Sequence, residues 1–124
     1  MSTLNLFVYG TLKRGLRNHR LLAGQEFIRE AVTLPHYRLF DRGAYPCLVE
    51  DFQAGVAVRG ELWRIDTLIL PRLDELEGAP RLFSRRAIAI EDFPGQVHAY
   101  FYNGDVSAYR DCGPAWPGRP RANE

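Results

Sequence analysis

Three acids fall within four residues near the middle of the chain, Asp74, Glu75 and Glu77, immediately before Gly78. The stretch "DTLILPRLDELE", Asp66 to Glu77, predicts the one convincing helix, with Asp66 as a candidate N-cap and Gly78 as a C-terminal stop. Pro71 lacks an N–H, so either the main helix starts there or it kinks. Each residue turns about 100° around a helix axis; with Leu73 at zero, Ile69, Leu76 and Leu70 lie at about −40°, −60° and +60°. Glu77 falls inside that apolar arc at about +40°, whereas Asp74 and Glu75 lie at about 100° and 200°. One acid of the three therefore points where the apolar residues point. Partial burial disfavours an ionised carboxylate and raises its pKa, and the partial negative charge of a helix C-terminus pushes the same way. A glutamate moved toward neutrality can both accept and return a proton near pH 7, as a general acid–base catalyst must. The same position also suits a solvated residue in a fraying last turn, and the helical wheel by itself favours this plainer reading.

A second stretch with chemical content is "FVYGTLKRGLRNHRLL", Phe7 to Leu22. Leu4 to Tyr9 reads as a buried first strand. It ends at Gly10 and gives way to a polar, basic loop, Gly10 to Arg17, before Asn18 to Ala23 forms one helical turn with Asn18 as a candidate cap. Such a loop is either an ordinary surface connection or a turn whose backbone N–H groups face an anion. Lys13, Arg14, Arg17 and Arg20 read as a solvated basic face. Cys47 lacks any neighbouring base in sequence and is a poor candidate nucleophile. His19, His36 and His98 show no metal-ligand spacing, so no metal is expected.

The elements that must position these groups are mostly strands. Phe27 to Leu34 and Tyr37 to Phe40 flank Pro35, "DRGAYPCLVED" carries a short extended piece, and Ala54 to Ile65 alternates as one long strand that Gly60 bends or bulges. Arg85 to Glu91 and Gln96 to Tyr102 predict a hairpin around "DFPG". In its second strand Val97, Ala99 and Phe101 share one face, and His98, Tyr100 and Tyr102 the other. The expected fold is α+β, a small mixed β-barrel of about six strands with one main helix and short helical turns. All of residues 1–124 read as one domain, with 103–124 a Pro- and Gly-rich tail that either wraps the surface or frays.

Composition narrows the partners. The net charge is +1, which argues against a nucleic-acid partner, whose binders carry a clustered basic excess. No apolar run approaches membrane length and no export signal precedes Cys47 and Cys112, so a cytoplasmic protein with free thiols and no membrane contact is expected.

Taken together, Tyr9-Gly10-Thr11-Leu12, Asn18-His19, "GELWRID" and Leu73-Asp74-Glu75-Leu76-Glu77-Gly78 resemble the γ-glutamylcyclotransferase superfamily. The branch most similar is that of γ-glutamylamine cyclotransferases and AIG2-like bacterial proteins. The resemblance runs from about Asn5 to Tyr102, most of the expected domain. It implies a mixed barrel with helices outside, and cofactor-free release of 5-oxoproline and a free amine from a small-molecule γ-glutamyl amine or amide. It makes Glu77 the catalytic acid–base group and places the substrate's α-carboxylate at Tyr9, Gly10, Thr11 and Leu12. Tyr45, in the Tyr45-Pro46 pair, lines the pocket or packs in a turn, and Tyr100 and Tyr102 close one wall. Glu61 of "GELW" is expected to partner neighbouring strands, and His19 to brace the loop. Phe83 stands where the γ-glutamylamine branch carries tyrosine, which leaves the amine open. A monomer or weak homodimer is expected. The alternative is a non-catalytic module that binds a small metabolite on the same fold, because fold alone does not guarantee activity.

Overall fold

In the computed structural model of the protein, which describes residues 2–117, strand β1 (Thr3–Val8) lies at the centre of the architecture. It pairs antiparallel with β5 (Arg59–Asp66) on one side and parallel with β7 (Val97–Tyr102) on the other. With β2 (Glu26–Val32) and β6 (Phe83–Ala87) at the edges, the five-stranded order is β2-β5-β1-β7-β6. A second sheet of three strands has the order β4-β3-β8, with β3 at Tyr37–Asp41, β4 at Pro46–Glu50 and β8 at Arg110–Gly113. The helix α1 spans Leu70–Glu77.

The α+β class is as expected, and the barrel is not. The edges β2 and β6 approach each other only beyond their ends, where Thr33 bridges Ile90. Pro35 then denies the chain an N–H for continued pairing. The following strand joins a separate sheet, so the two edges are never zipped together, and the strands among the described residues number eight rather than about six.

Alternation along β1 feeds two cores. Phe7 packs with Leu39, Leu48, Val97, Ala99 and Phe101 between the two sheets. Leu6 and Val8 point the other way, onto Leu12, Leu22, Trp63, Leu73 and Tyr100 beneath α1. A strand buried on both faces needs no polar alternation, which is why β1 reads as a continuous apolar run. The two-face reading of β7 holds for Val97, Ala99 and Phe101 against Tyr100.

Several boundaries differ from the sequence reading for identifiable reasons. Asp66 caps a 3-10 turn, Thr67–Ile69, by accepting from the Leu68 N–H at 2.9 Å, and α1 begins only at Leu70 with Pro71 in its first turn. Asp66→Ala should lower stability by about 1 kcal/mol, the usual value of such a cap, measurable by urea unfolding. Leu76 is 39% exposed and lies outside the core arc. Gly78 ends α1 with φ of 66°, and Ala79 N–H closes back on the Asp74 carbonyl. Asn18 makes no cap; its side-chain amide donates to Thr11 Oγ1 at 2.8 Å.

The long strand starts at Arg59 rather than Ala54, and its register with β2 runs without a bulge through Gly60. A Cβ at Gly60 would sit 2.4 Å from the Val8 carbonyl oxygen and 2.6 Å from the Phe7 ring, so the residue lets β1 and β5 close up. The irregularity lies in β2, between Phe27 and Arg29. The hairpin pairs Phe83 with Tyr102 through Ala87 with His98, and Ile90 leaves it for Thr33. Within the expected tail, β8 pairs with β3 and Trp116 is buried; 118–124 lie outside the described residues.

Candidate active site

The end of β1, the C-terminus of α1 and the β3–β4 hairpin converge on one cleft of about 340 Å³, part of it open to solvent. Glu77, Tyr9, Gly10, Thr11, Leu12 and Tyr45 all line it, whereas Tyr102, expected in one wall, does not. The wall residues Pro46 and Tyr100 complete the enclosure.

The turn after β1 is held from outside the cleft. Lys13 N–H donates to the Gly10 carbonyl at 3.1 Å and Asn18 N–H to the Thr11 carbonyl at 3.0 Å. His19 Nδ1 lies 3.0 Å from the Leu12 carbonyl, which can only accept, so that nitrogen carries the proton; the ring also packs 5.3 Å from Trp63. Among the described residues, the N–H groups of Gly10, Thr11 and Leu12 donate to nothing in the protein. A run of unengaged N–H groups in a turn is an anion-receptive concavity. A Cβ at Gly10 would come within 2.9 Å of the Pro46 ring, so glycine is what lets the turn seat against the opposite hairpin.

Beneath the loop sits Glu61, a buried acid whose clamping role the sequence signalled only as a polar strand partner. Its Oε1 accepts from the Arg14 N–H and from Trp63 Nε1, both at 3.1 Å, and its Oε2 from Arg14 Nε at 3.1 Å. Arg14, Arg17 and Arg20 are exposed, as expected of a solvated face, and the basic residues also tie the loop down. Lys13 Nζ donates to the Trp116 carbonyl and its pKa is lowered by burial. Arg17 reaches the Ala44 carbonyl, and Arg14 lies 3.8 Å over the Phe27 ring.

Across the cleft, α1 separates its acids as the wheel predicts. Asp74 accepts from Tyr100 OH at 2.6 Å and pairs with Arg85 at 3.2 Å. Burial opposes its ionisation, and the bonds from Arg85 and Tyr100 outweigh that, leaving its pKa below the ordinary value. Glu75 is exposed. Glu77 is partly buried and, among the described residues, has neither an ion pair nor a hydrogen bond to its side chain. Burial alone pushes its pKa from 4.5 to about 7. Tyr9, whose hydroxyl donates to the Tyr100 carbonyl, has its pKa raised by burial and then by the Glu77 charge beside it. The Asp74–Tyr100–Arg85 network escaped sequence reading, although the wheel angle of Asp74, at the edge of the core arc, was the available signal.

Other features carry less. A larger groove of about 1010 Å³, likewise part open to solvent, lies against β2 and β5, but its one buried acid, Glu61, is engaged by Arg14 and Trp63. Burial raises the Cys47 thiol to about 11, leaving it protonated and unreactive near neutrality. No group of metal-ligating residues occurs among the described residues, and no helix there is long and apolar enough to cross a membrane.

A lone acid raised toward neutrality beside a turn with unengaged N–H groups, on mixed sheets carrying one α-helix, makes an acid–base site open to a small molecule. The chain belongs to the family described as gamma-glutamyl cyclotransferase, AIG2-like, whose model matches residues 6–116. It is 33% identical to gamma-glutamylaminecyclotransferase A of Danio rerio, over 94% of this chain and 76% of that one. It is 36% identical to the gamma-glutamylaminecyclotransferase of Homo sapiens over 69% of this chain, and spans 61% of that protein's length. The crystal structure of an AIG2-like protein from Mus musculus superposes with a TM-score of 0.80 at 25% identity, covering 100% of both chains.

Proposed function

We propose that this protein is a cyclotransferase that converts a γ-glutamyl amine or amide into 5-oxoproline and a free amine, with Glu77 as its acid–base group. The observation that carries the proposal is the unpaired Glu77 carboxyl, held at about 7 by burial, in the same cleft as the unengaged N–H groups of Gly10, Thr11 and Leu12.

The substrate's α-carboxylate sits on those N–H groups, with Tyr45 and Pro46 closing the opposite side. The α-amine is then delivered to its own γ-carbonyl carbon. Glu77 takes a proton from the α-ammonium, the nitrogen lone pair forms the new C–N bond, and a tetrahedral centre results. Glu77 returns that proton to the departing nitrogen as the old C–N bond breaks, and the ring nitrogen then gives up its second proton, which the released amine carries off as an ammonium, leaving the neutral lactam and an ionised Glu77. The γ-glutamyl compound is thereby divided into a lactam and an amine, with no water consumed. Amine and carbonyl already share one molecule, so the protein adds only the part of the ~7–11 kcal/mol of well-oriented geometry that comes from freezing the intervening bonds in the attacking conformation. The proton transfer adds a factor of about 10²–10⁴.

The test is to incubate the protein with a panel of γ-glutamyl amines and amides and assay 5-oxoproline by mass spectrometry. Product from at least one member is expected; a panel with no product above the uncatalysed rate would refute the proposal. For an active substrate, kcat/KM should rise with pH through about 7, because only ionised Glu77 accepts the proton. A rate flat from pH 5.5 to 8.5, roughly, would remove Glu77 from the base role.

A further inference from the structure

We propose that Tyr100 is a positioning residue for Glu77: the bond from its hydroxyl to Asp74 fixes the last turn of α1 over the cleft. This inference rests on the cyclotransferase reading and adds a group that aims the acid–base residue from behind.

The helix α1 is eight residues long, too short to be stable by itself, so its placement comes from what it packs against. Leu73 is its one buried residue, and an apolar contact is non-directional. The directional tie is Asp74, about one turn before Glu77. Its Oδ1 accepts from Tyr100 OH at 2.6 Å and from Arg85 Nε at 3.2 Å, and its Oδ2 from a terminal nitrogen of Arg85 at 3.4 Å. Both donors belong to one edge of the five-stranded sheet, where Arg85 of β6 and Tyr100 of β7 are paired directly across the strands. The carboxylate is gripped at both oxygens by neighbours in that sheet, and the end of α1 is anchored there with it.

Tyr100 connects this anchor to the cleft. It is buried, and it lines the cleft together with Glu77. Its main-chain carbonyl accepts from the hydroxyl of Tyr9, which stands at the end of β1 beside Glu77. One residue thus holds, through its side chain, the helix that carries the acid–base group and, through its backbone, the strand end that leads into the anion-receptive turn. A phenol has one proton to donate, and here it goes to Asp74. The hydroxyl is therefore engaged with the helix rather than with the reacting atoms. Glu77 has no partner of its own among the described residues, so its carboxyl lies wherever α1 puts it.

The experiment breaks the bond from each side. Tyr100→Phe keeps the ring against the cleft and removes the hydroxyl, and Asp74→Ala removes the acceptor. Turnover of an active γ-glutamyl amine is measured as 5-oxoproline release less the uncatalysed rate, at a temperature where urea unfolding shows each variant fully folded. Each change should lower kcat by about ten- to hundredfold with KM within about twofold of wild type, because the turn at Gly10–Leu12 is untouched. The double variant should be no slower than Asp74→Ala, since both changes remove one bond. In a Glu77→Gln background, Tyr100→Phe and Asp74→Ala should lose their effect on the residual turnover, because no acid–base group remains to be aimed. Unchanged kcat in Tyr100→Phe, a loss carried by KM, or a loss of the same size in the Glu77→Gln background would overturn the positioning role while leaving the cyclotransferase intact. Absence of 5-oxoproline from every γ-glutamyl substrate with the wild-type protein would instead refute the activity, and this inference with it.

Discussion

Glu77→Gln should lower turnover of a γ-glutamyl amine by about 10²–10⁴-fold and at the same time make the protein more stable at pH 8. The two effects share one cause. Glutamine preserves the shape of the side chain and cannot accept the α-ammonium proton. In the folded protein the Glu77 carboxyl titrates at about 7, against 4.5 for the ordinary group. Between those values the native state holds a proton that the unfolded chain has released, so stability falls as pH rises through the window. The contribution is fully favourable below 4.5 and is lost above about 7. With allowance for the solvent that a partly buried group still meets, the ionised carboxylate costs the fold about 2–3 kcal/mol at pH 8. The variant is spared that cost, so its urea midpoint should exceed the wild type's at pH 8 and approach it near pH 4, roughly. A variant with full turnover would end the acid–base assignment. A variant with no turnover and no pH-dependent stability gain would mean that the carboxyl is not held out of water.

The second large effect is expected at Glu61, which touches no substrate. Glu61→Leu leaves the Arg14 N–H and Trp63 Nε1 without their shared acceptor, while the exposed Arg14 guanidinium keeps water and Glu30. Two neutral donors left unpaired at a buried site cost about 1–3 kcal/mol. The loop that Glu61 clamps is the continuation of the turn at Gly10–Leu12, so the unengaged N–H groups should lose their alignment. An increase in KM of about tenfold with a smaller change in kcat is the expected kinetic signature, because binding of the α-carboxylate is what the turn supplies. Glu61→Gln keeps one acceptor oxygen and should fall between wild type and Glu61→Leu in both stability and KM. A Glu61→Leu protein as stable as wild type, with KM unchanged, would show that the loop is held by other ties.

Glu61 also illustrates what a linear reading misses. Its sequence context shows only an acid in an alternating strand, which ordinarily faces water. Whether such an acid is solvated or buried depends on what arrives above it, and the Gly10–Arg17 loop arrives from far along the chain. Asp74 is similar, since its partners Tyr100 and Arg85 come from β7 and β6. Gly60 reads as a bend in one dimension and proves to be a point of close approach between β5 and β1. The missed strand β8, in a Pro- and Gly-rich segment, forms because β3 offers an open edge, and local preference there carries almost no signal.

The sequence alone determined the features that depend on neighbours a few residues away. These are the double-faced apolar run of β1, the glycine stop of α1, and the angle at which Glu77 leaves the helix among its apolar neighbours. Periodicity is a local property, and it was enough to pick one acid out of three. The tertiary structure decided the rest. It kept the sheet open by sending β3 into a second layer, brought the turn after β1 opposite the end of α1, and withheld every partner from the Glu77 side chain among the described residues. That last step sets the proton affinity of the site. A carboxyl's pKa is fixed by the water it loses and the partners it fails to gain, and only the packing of distant segments specifies both.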